Sequence, residues 1–271
     1  MTVSVATAPG TQRANEDGVF ISPRVVAVLD GLSAPTDLPL GCSHGTPWLV
    51  RQIGTRLLTA AETDGVPLQA ALATVIADVN DLHRSTCALD GGAVPATTVT
   101  MLRQRDDQLD YLVLSDSVLL LNGPEGITAV TDKRVDDVAG DQLAAALAVP
   151  GGTTEQAALV SELVVAQRQV RNRAGGYWVA STDPGAAQHA ICGSVARKGV
   201  TQAALLTDGA TRLVDTFGQL TWAELLKLLQ DLGPAALIEQ TRAVEASDPI
   251  GEQWPRFKRS DDATAALVTI D

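Results

Sequence analysis

The chain has 271 residues, 45% hydrophobic and 19% charged, a globular composition that excludes disorder and supports a core without disulfide staples. Twenty Lys+Arg against 32 Asp+Glu give a net charge of −12. That balance argues against a nucleic-acid binder and against an anionic-membrane binder, since both need cationic surface.

The N-terminal stretch MTVSVATAPGTQRANED has no basic region followed by an apolar core, so it does not read as a signal peptide. No apolar run reaches the roughly 18 residues of a membrane span. Cys42, Cys87 and Cys192 are few and include no Cys-x-x-Cys pair, which points to a reducing compartment. A cytoplasmic location is expected.

Strands come first. Thr2–Thr7 alternates, and Gly18–Ile21 and Val25–Leu29 are separated by the turn signal Ser22-Pro23-Arg24. Val25–Leu29 is apolar throughout and predicts a strand buried on both faces. After a Gly-, Pro- and Ser-rich loop from Gly31 to Pro47, apolar residues at three- and four-residue steps predict helices over Trp48–Glu62 and Pro67–Arg84. Thr97–Leu102, Gln108–Leu114, Val118–Asn122 and Ile127–Thr131 then read as an antiparallel meander. Helices over Asp141–Leu147 and Thr154–Arg171 are followed by strands at Gly175–Ser181, Ile191–Val195 and Ala203–Thr207. Three helical pieces, Ala210–Phe217, Thr221–Leu232 and Pro234–Ser247, precede a final strand, Thr264–Ile270. Segregated strands and helices favour an α+β class, with stacked sheets and outer helices in a single domain over residues 1–271.

No GxSxG, HExxH, GxxxxGK[ST] or GxGxxG occurs, so serine hydrolase, zincin, P-loop and dinucleotide readings are unattractive. Aspartates at strand ends remain. Of five Asp-Gly dipeptides (Asp17-Gly18, Asp30-Gly31, Asp64-Gly65, Asp90-Gly91, Asp208-Gly209), each alone reads as a turn. Two of them directly follow an apolar strand, in VVAVLDG and AALLTDG. Carboxylates converging at strand ends repel one another unless Mg²⁺ or Mn²⁺ takes their oxygens.

Six segments occur in one order: ANEDG (Ala14–Gly18), VVAVLDG (Val25–Gly31), ATTVTML (Ala96–Leu102), LSDSVLLL (Leu114–Leu121), LLTDG (Leu205–Gly209) and DDATAALV (Asp261–Val268). In this order the chain resembles the metal-dependent, type 2C protein phosphatases (the PPM family), as a divergent bacterial-type member. The resemblance implies a four-layer α-β-β-α sandwich of two antiparallel sheets. It implies that Asp30 bridges two Mg²⁺ or Mn²⁺ ions, with the Gly31 carbonyl, Asp208, Asp261 and Asp17 (with Glu16) as further ligands. The implied reaction is hydrolysis of a phosphomonoester by metal-activated water, with a phosphorylated protein or a small phosphorylated molecule as substrate.

The chain also departs from that pattern. The family's phosphate-gripping Arg stands five residues before the aspartate of NED; Gln12 is there, and Arg13, one residue on, is either a phosphate ligand or a surface charge. Ser115-Asp116-Ser117 lacks the Arg of the family's motif, Arg212 replaces an acidic residue expected for a third ion, and Asp262 stands where Asn is usual. The Arg13 register, the missing Arg and Arg212 favour a rival reading, a pseudophosphatase kept as a binding module, which the retention of Asp17, Asp30, Asp208 and Asp261 opposes. In Gly41-Cys42-Ser43-His44-Gly45, His44 is the candidate proton donor to the leaving group; a Cys42/His44 soft-metal contact has only two ligands, too few for zinc. His83 and His189 read as structural, with His83 on a polar helix face. Arg171-Asn172-Arg173 is a substrate channel or a helix end, and Trp254–Arg259 overhangs the cleft or clamps a loop.

Overall fold

The computed structural model describes residues 1–90 and 93–270, so Gly91 of the Asp90-Gly91 pair lies outside the described residues. The strands are β1 (Thr2–Ala8), β2 (Gly18–Ile21), β3 (Val25–Leu29), β4 (Val99–Arg105), β5 (Gln108–Leu114), β6 (Val118–Gly123), β7 (Gly126–Val130), β8 (Ile191–Ala196), β9 (Gln202–Leu206) and β10 (Ala263–Thr269). They form two antiparallel five-stranded sheets, ordered β1-β10-β9-β6-β7 and β2-β3-β4-β5-β8. The helices are α1 (Thr46–Glu62), α2 (Leu68–His83), α3 (Gly140–Leu147), α4 (Thr154–Val170), α5 (Asp208–Asp215), α6 (Trp222–Leu232) and α7 (Pro234–Ser247).

The period-2 alternation of the strands builds the layers. On β3, Val25, Ala27 and Leu29 pack outward with Ile53 and Leu57 of α1 and Leu72 and Ile76 of α2. Val26 and Val28 face inward and meet Leu119, Leu205 and Ala266 of the other sheet. On β9 the alternation repeats: Ala203 and Leu205 face the first sheet, while Ala204 and Leu206 pack against Leu225, Leu229 and Leu237 of α6 and α7. The result is the α-β-β-α sandwich expected from the sequence. Val, Ala and Leu fill it, as the 3% aromatic content requires. The first and last strands close one sheet together, in register from Thr2↔Thr269 to Ala8↔Ala263. Among the described residues no helix is long and apolar enough to cross a membrane.

Two expected elements differ. The four-strand meander is split, with β4-β5 in one sheet and β6-β7 in the other. The crossing is Ser115-Asp116-Ser117, where Ser115 takes the left-handed region at φ 72° as the chain passes from one sheet to the other. Gly175–Ser181 forms no ladder either. It makes isolated bridges, with Ala180 paired to Thr97 through N–H···O bonds of 2.9 Å in both directions. The Asn172 side-chain oxygen, rather than a strand, accepts from the Val179 N–H at 2.9 Å.

Candidate active site

The aspartates singled out from the sequence arrive at one recess from separate parts of the chain. Asp17 ends the loop between β1 and β2, Asp30 follows β3, Asp116 lies in the sheet crossing, and Asp261 precedes β10. Asp208 does more than close a strand: it is the first residue of α5, with Thr207 as N-cap, where the helix N-terminus favours a negative charge. Its backbone N–H donates to Asp30 Oδ2 at 3.4 Å, and Thr207 Oγ1 donates to Asp17 Oδ2 at 3.0 Å.

Gly31 and Gly209 have ordinary backbone angles, so their role is close approach. A Cβ on Gly31 would strike the Glu16 carbonyl oxygen, and one on Gly209 the carbonyl oxygen of Asp262. The two Asp-Gly steps are thus packed against the two other acidic segments. Asp64-Gly65 is an ordinary turn, with Gly65 at φ 76°.

The convergence has electrostatic consequences. Burial, and then the charges of Asp17, Asp208, Asp261 and Asp116, hold the Asp30 carboxyl well above its usual range. Burial pushes Asp17 up to about 7, against a hydrogen bond from Thr264 and with repulsion from Asp208. Asp116 is also raised to about 7, by burial and then by Asp208, and Asp208 is raised by burial and Asp261. The recess is nonetheless open: Asp208 is exposed and the other three are half-buried. Asp17 Oδ1 is enclosed without a partner.

Asp261 is different. Burial works against its charge, but Lys258 and Arg212 hold it below the usual range. Lys258 Nζ donates to Asp261 Oδ1 at 2.7 Å. Arg212 lies 3.5 Å from Asp261 Oδ2 and 2.7 Å from Glu245 Oε1. The recess therefore contains its own cations: Arg212, which the sequence set in place of an acid, and Lys258 of the basic island before Asp261; their pairing with Asp261 itself was not foreseen.

Asp262 is a clamp. Its Oδ1 accepts from the Gly10 N–H at 2.8 Å and its Oδ2 from the Glu16 N–H at 2.6 Å. Both ends of the segment carrying Arg13 are thereby pinned, and Arg13 itself is exposed. Glu16 is engaged through a hydrogen bond from Ser33 Oγ. Of the basic island, Arg256 is buried and paired with Asp248 at 2.9 Å. Trp254 packs edge-on to Phe217, so this half is a loop clamp and only Lys258 reaches the acids. Arg171 is committed to Tyr177 Oη at 3.1 Å and the Val94 carbonyl at 3.3 Å, which fixes a helix end.

His44 has other company. Its Nδ1 lies 3.5 Å from Cys42 Sγ and 3.3 Å from Cys87 Sγ, and its ring stacks on Trp48 at 4.4 Å. His83 is not on a polar face: it is 1% exposed and continues the buried stripe of Val75, Ile76 and Val79 along α2. His189 stacks on Trp178 at 3.4 Å.

Two antiparallel five-stranded sheets flanked by helices are the fold of the PPM-type Ser/Thr phosphatases, and the chain has that fold. Among solved structures it is similar to PppA, a key regulatory component of T6SS in Pseudomonas aeruginosa (TM-score 0.60, 18% identity, covering 100% of this chain and 97% of that one). It is similar to the Mycobacterium tuberculosis serine/threonine phosphatase PstP/Ppp (0.57, 15%, 100% and 98%), and to the catalytic domain of PstP in complex with two manganese ions (0.55, 16%, 100% and 98%). No protein-family model and no curated protein matches the sequence.

Proposed function

We propose that the chain is a Mg²⁺- or Mn²⁺-dependent phosphatase hydrolysing phosphomonoesters, with phospho-Ser/Thr in proteins as substrate, acting as one domain over residues 1–271. The observation that carries this reading is the meeting of Asp17, Asp30, Asp208 and Asp261 at one open recess. Mutually repelling carboxylates suit hard divalent ions, and the unpartnered Asp17 Oδ1 is a donor atom ready for one. In this reading Asp17, Asp30, the Gly31 carbonyl, Asp208 and Asp261 hold the ions. Bound there, divalent ions supply Lewis-acid activation of water and neutralise charge on the phosphoryl group. Arg13, on the segment pinned by Asp262, grips the substrate phosphate. The Nδ1 of His44 faces two thiols, so His44 is left out of proton transfer.

Manganese-dependent hydrolysis of p-nitrophenyl phosphate, abolished by Asp30→Ala and by Asp208→Asn, is the expected result. Phosphopeptides compared with small phosphorylated metabolites then separate the substrate classes. One observation favours a second reading, a pseudophosphatase: Lys258 and Arg212 already neutralise Asp261. A chain that binds phosphopeptide without turning over any phosphoester would establish that reading instead.

A further inference from the structure

The chain contains three cysteines and three histidines. Two of each, Cys42, His44, His83 and Cys87, offer ligand atoms that all lie within 4.8 Å of one another. Among the described residues, theirs is the one group of three or more Cys, His, Asp or Glu side chains gathered so tightly. Four of the edges are 3.3 Å for Cys42 Sγ to Cys87 Sγ, 3.3 Å for Cys42 Sγ to His83 Nδ1, 3.3 Å for Cys87 Sγ to His44 Nδ1 and 3.5 Å for Cys42 Sγ to His44 Nδ1. A tetrahedron with Zn–S of about 2.3 Å and Zn–N of about 2.0–2.1 Å has edges of roughly 3.3–3.8 Å.

We propose that Cys42, His44, His83 and Cys87 form a structural Zn²⁺ site that fastens the loop after Gly31 to the end of α2. Two sulfurs and two imidazole nitrogens are the donor set of a closed tetrahedral zinc centre, with no position left for substrate. The two halves come from different places: Cys42 and His44 from the loop before α1, His83 and Cys87 from the last turn of α2 and the residues beyond it. Backbone bonds already join them. The Gly41 N–H donates to the Ala93 carbonyl at 2.5 Å, and the Ala88 N–H to the Gly41 carbonyl at 2.8 Å. His83 and Cys87 are held one turn apart by the Cys87 N–H to His83 carbonyl bond of 2.9 Å. The ligands are therefore arranged before the ion arrives, and exposed His44 and half-buried Cys87 leave a way in.

Binding forms two S–Zn and two N–Zn bonds, releases the two thiol protons to solvent and changes no oxidation state. His83 uses Nδ1, so its proton sits on Nε2, which faces no hydrogen-bond acceptor. The centre is neutral overall, since two thiolates offset the ion. It fixes the segment that runs from the acidic recess to the start of α1, but its metal chemistry is separate from the phosphatase reading and stands or falls on its own.

The test is metal content. Purified full-length protein, reduced and kept in excess Mg²⁺ to occupy the acidic recess, is loaded with Zn²⁺, desalted and measured by elemental analysis. About one zinc per chain is expected. Cys42→Ser and Cys87→Ser, singly and together, should cut it more than about tenfold, as should His44→Gln at an exposed position that tolerates substitution. Cys192→Ser and Asp208→Asn should retain it. Cobalt loading should give the visible bands of a tetrahedral thiolate centre, absent in Cys87→Ser. Zinc retained by the Cys42/Cys87 double variant, or lost from reduced wild type on desalting, would overturn the proposal. So would a Cys42–Cys87 disulfide that forms in air despite saturating zinc.

Discussion

Neutralising Asp17 should stabilise the metal-free protein at high pH and do little at low pH. The Asp17 carboxyl is raised from 3.8 to about 7, chiefly by burial. A folded-state value above the unfolded one means that the native state holds the proton longer. Its stabilising contribution is complete below about pH 4 and is lost as pH climbs through about 7. Between pH 5 and pH 8 roughly two pKa units of that loss fall due, at most about 3 kcal/mol. The recess is open to water, and screening reduces this to about 1–2 kcal/mol. Asp17→Asn keeps an acceptor for Thr207 Oγ1 but cannot ionise. Urea unfolding in chelator, at pH 5 and at pH 8, measures the difference between wild type and variant. That difference should shift in favour of the variant by about 1–2 kcal/mol between the two pH values. Comparing two pH values cancels the packing cost of the amide, which is the same at both. Excess Mn²⁺ at pH 8 should reverse the order, because the native wild type alone gains the full binding energy. A pH-independent difference, or a relative loss for the variant at pH 8, would show that Asp17 does not sit among repelling, desolvated carboxylates.

Lys258→Met should tighten Mn²⁺ binding about tenfold in calorimetry, ~1.4 kcal/mol, because a divalent ion must displace Nζ from Asp261 Oδ1; unchanged affinity would remove Lys258 as a competitor. Asp262→Ala leaves the Gly10 and Glu16 N–H groups without their acceptor and should cost about 1–3 kcal/mol in unfolding experiments. It should also raise KM more than it lowers kcat if Arg13 binds phosphate from that segment. Asp248, held down to about 2 by Trp254 and Glu252 N–H groups and by Arg256 against the opposing effect of burial, contributes stability above about pH 4 that is lost as pH falls toward 2. Asp248→Asn should therefore flatten that acid limb of the unfolding curve, and an unaltered limb would assign it to other carboxylates.

Strand positions were legible because the apolar patterns that specify them are local. Gly18–Ile21, Val25–Leu29 and Gln108–Leu114 match the observed bounds residue for residue, and Val25–Leu29 is buried on both faces as its unbroken apolar run required. The acids at strand ends were legible for the same reason. Pairing was not local: nothing in Leu114–Val118 announces that β5 and β6 belong to different sheets, since a left-handed Ser115 carries no composition signal. Gly175–Ser181 has strand composition but finds only isolated partners. His83 could have been placed correctly, because it lies four residues after Val79 and seven after Ile76 on the stripe that α2 buries.

The Cys/His cluster shows why some sites need the fold. Cys42-x-His44 and His83-x-x-x-Cys87 are each half a ligand set, and most of α1 and α2 separates them in sequence. Only the packing of α1 on α2, with the Gly41–Ala88 and Gly41–Ala93 backbone bonds at one end of the pair, brings the four ligand atoms within 4.8 Å of one another. The same packing bears on the acidic recess. The loop between Gly31 and Thr46 leaves the recess, runs through Cys42 and His44, and returns to it, since Thr46 Cγ2 lies 2.6 Å from where a Cβ on Gly31 would be. Fixing Cys42 and His44 to the end of α2 therefore shortens the free span of this loop. The remaining slack is taken up where Ser33 holds Glu16 and Asp262 holds the segment before it. This side of the recess is thus tied by side chains at both ends, at Ser33 and at Asp262.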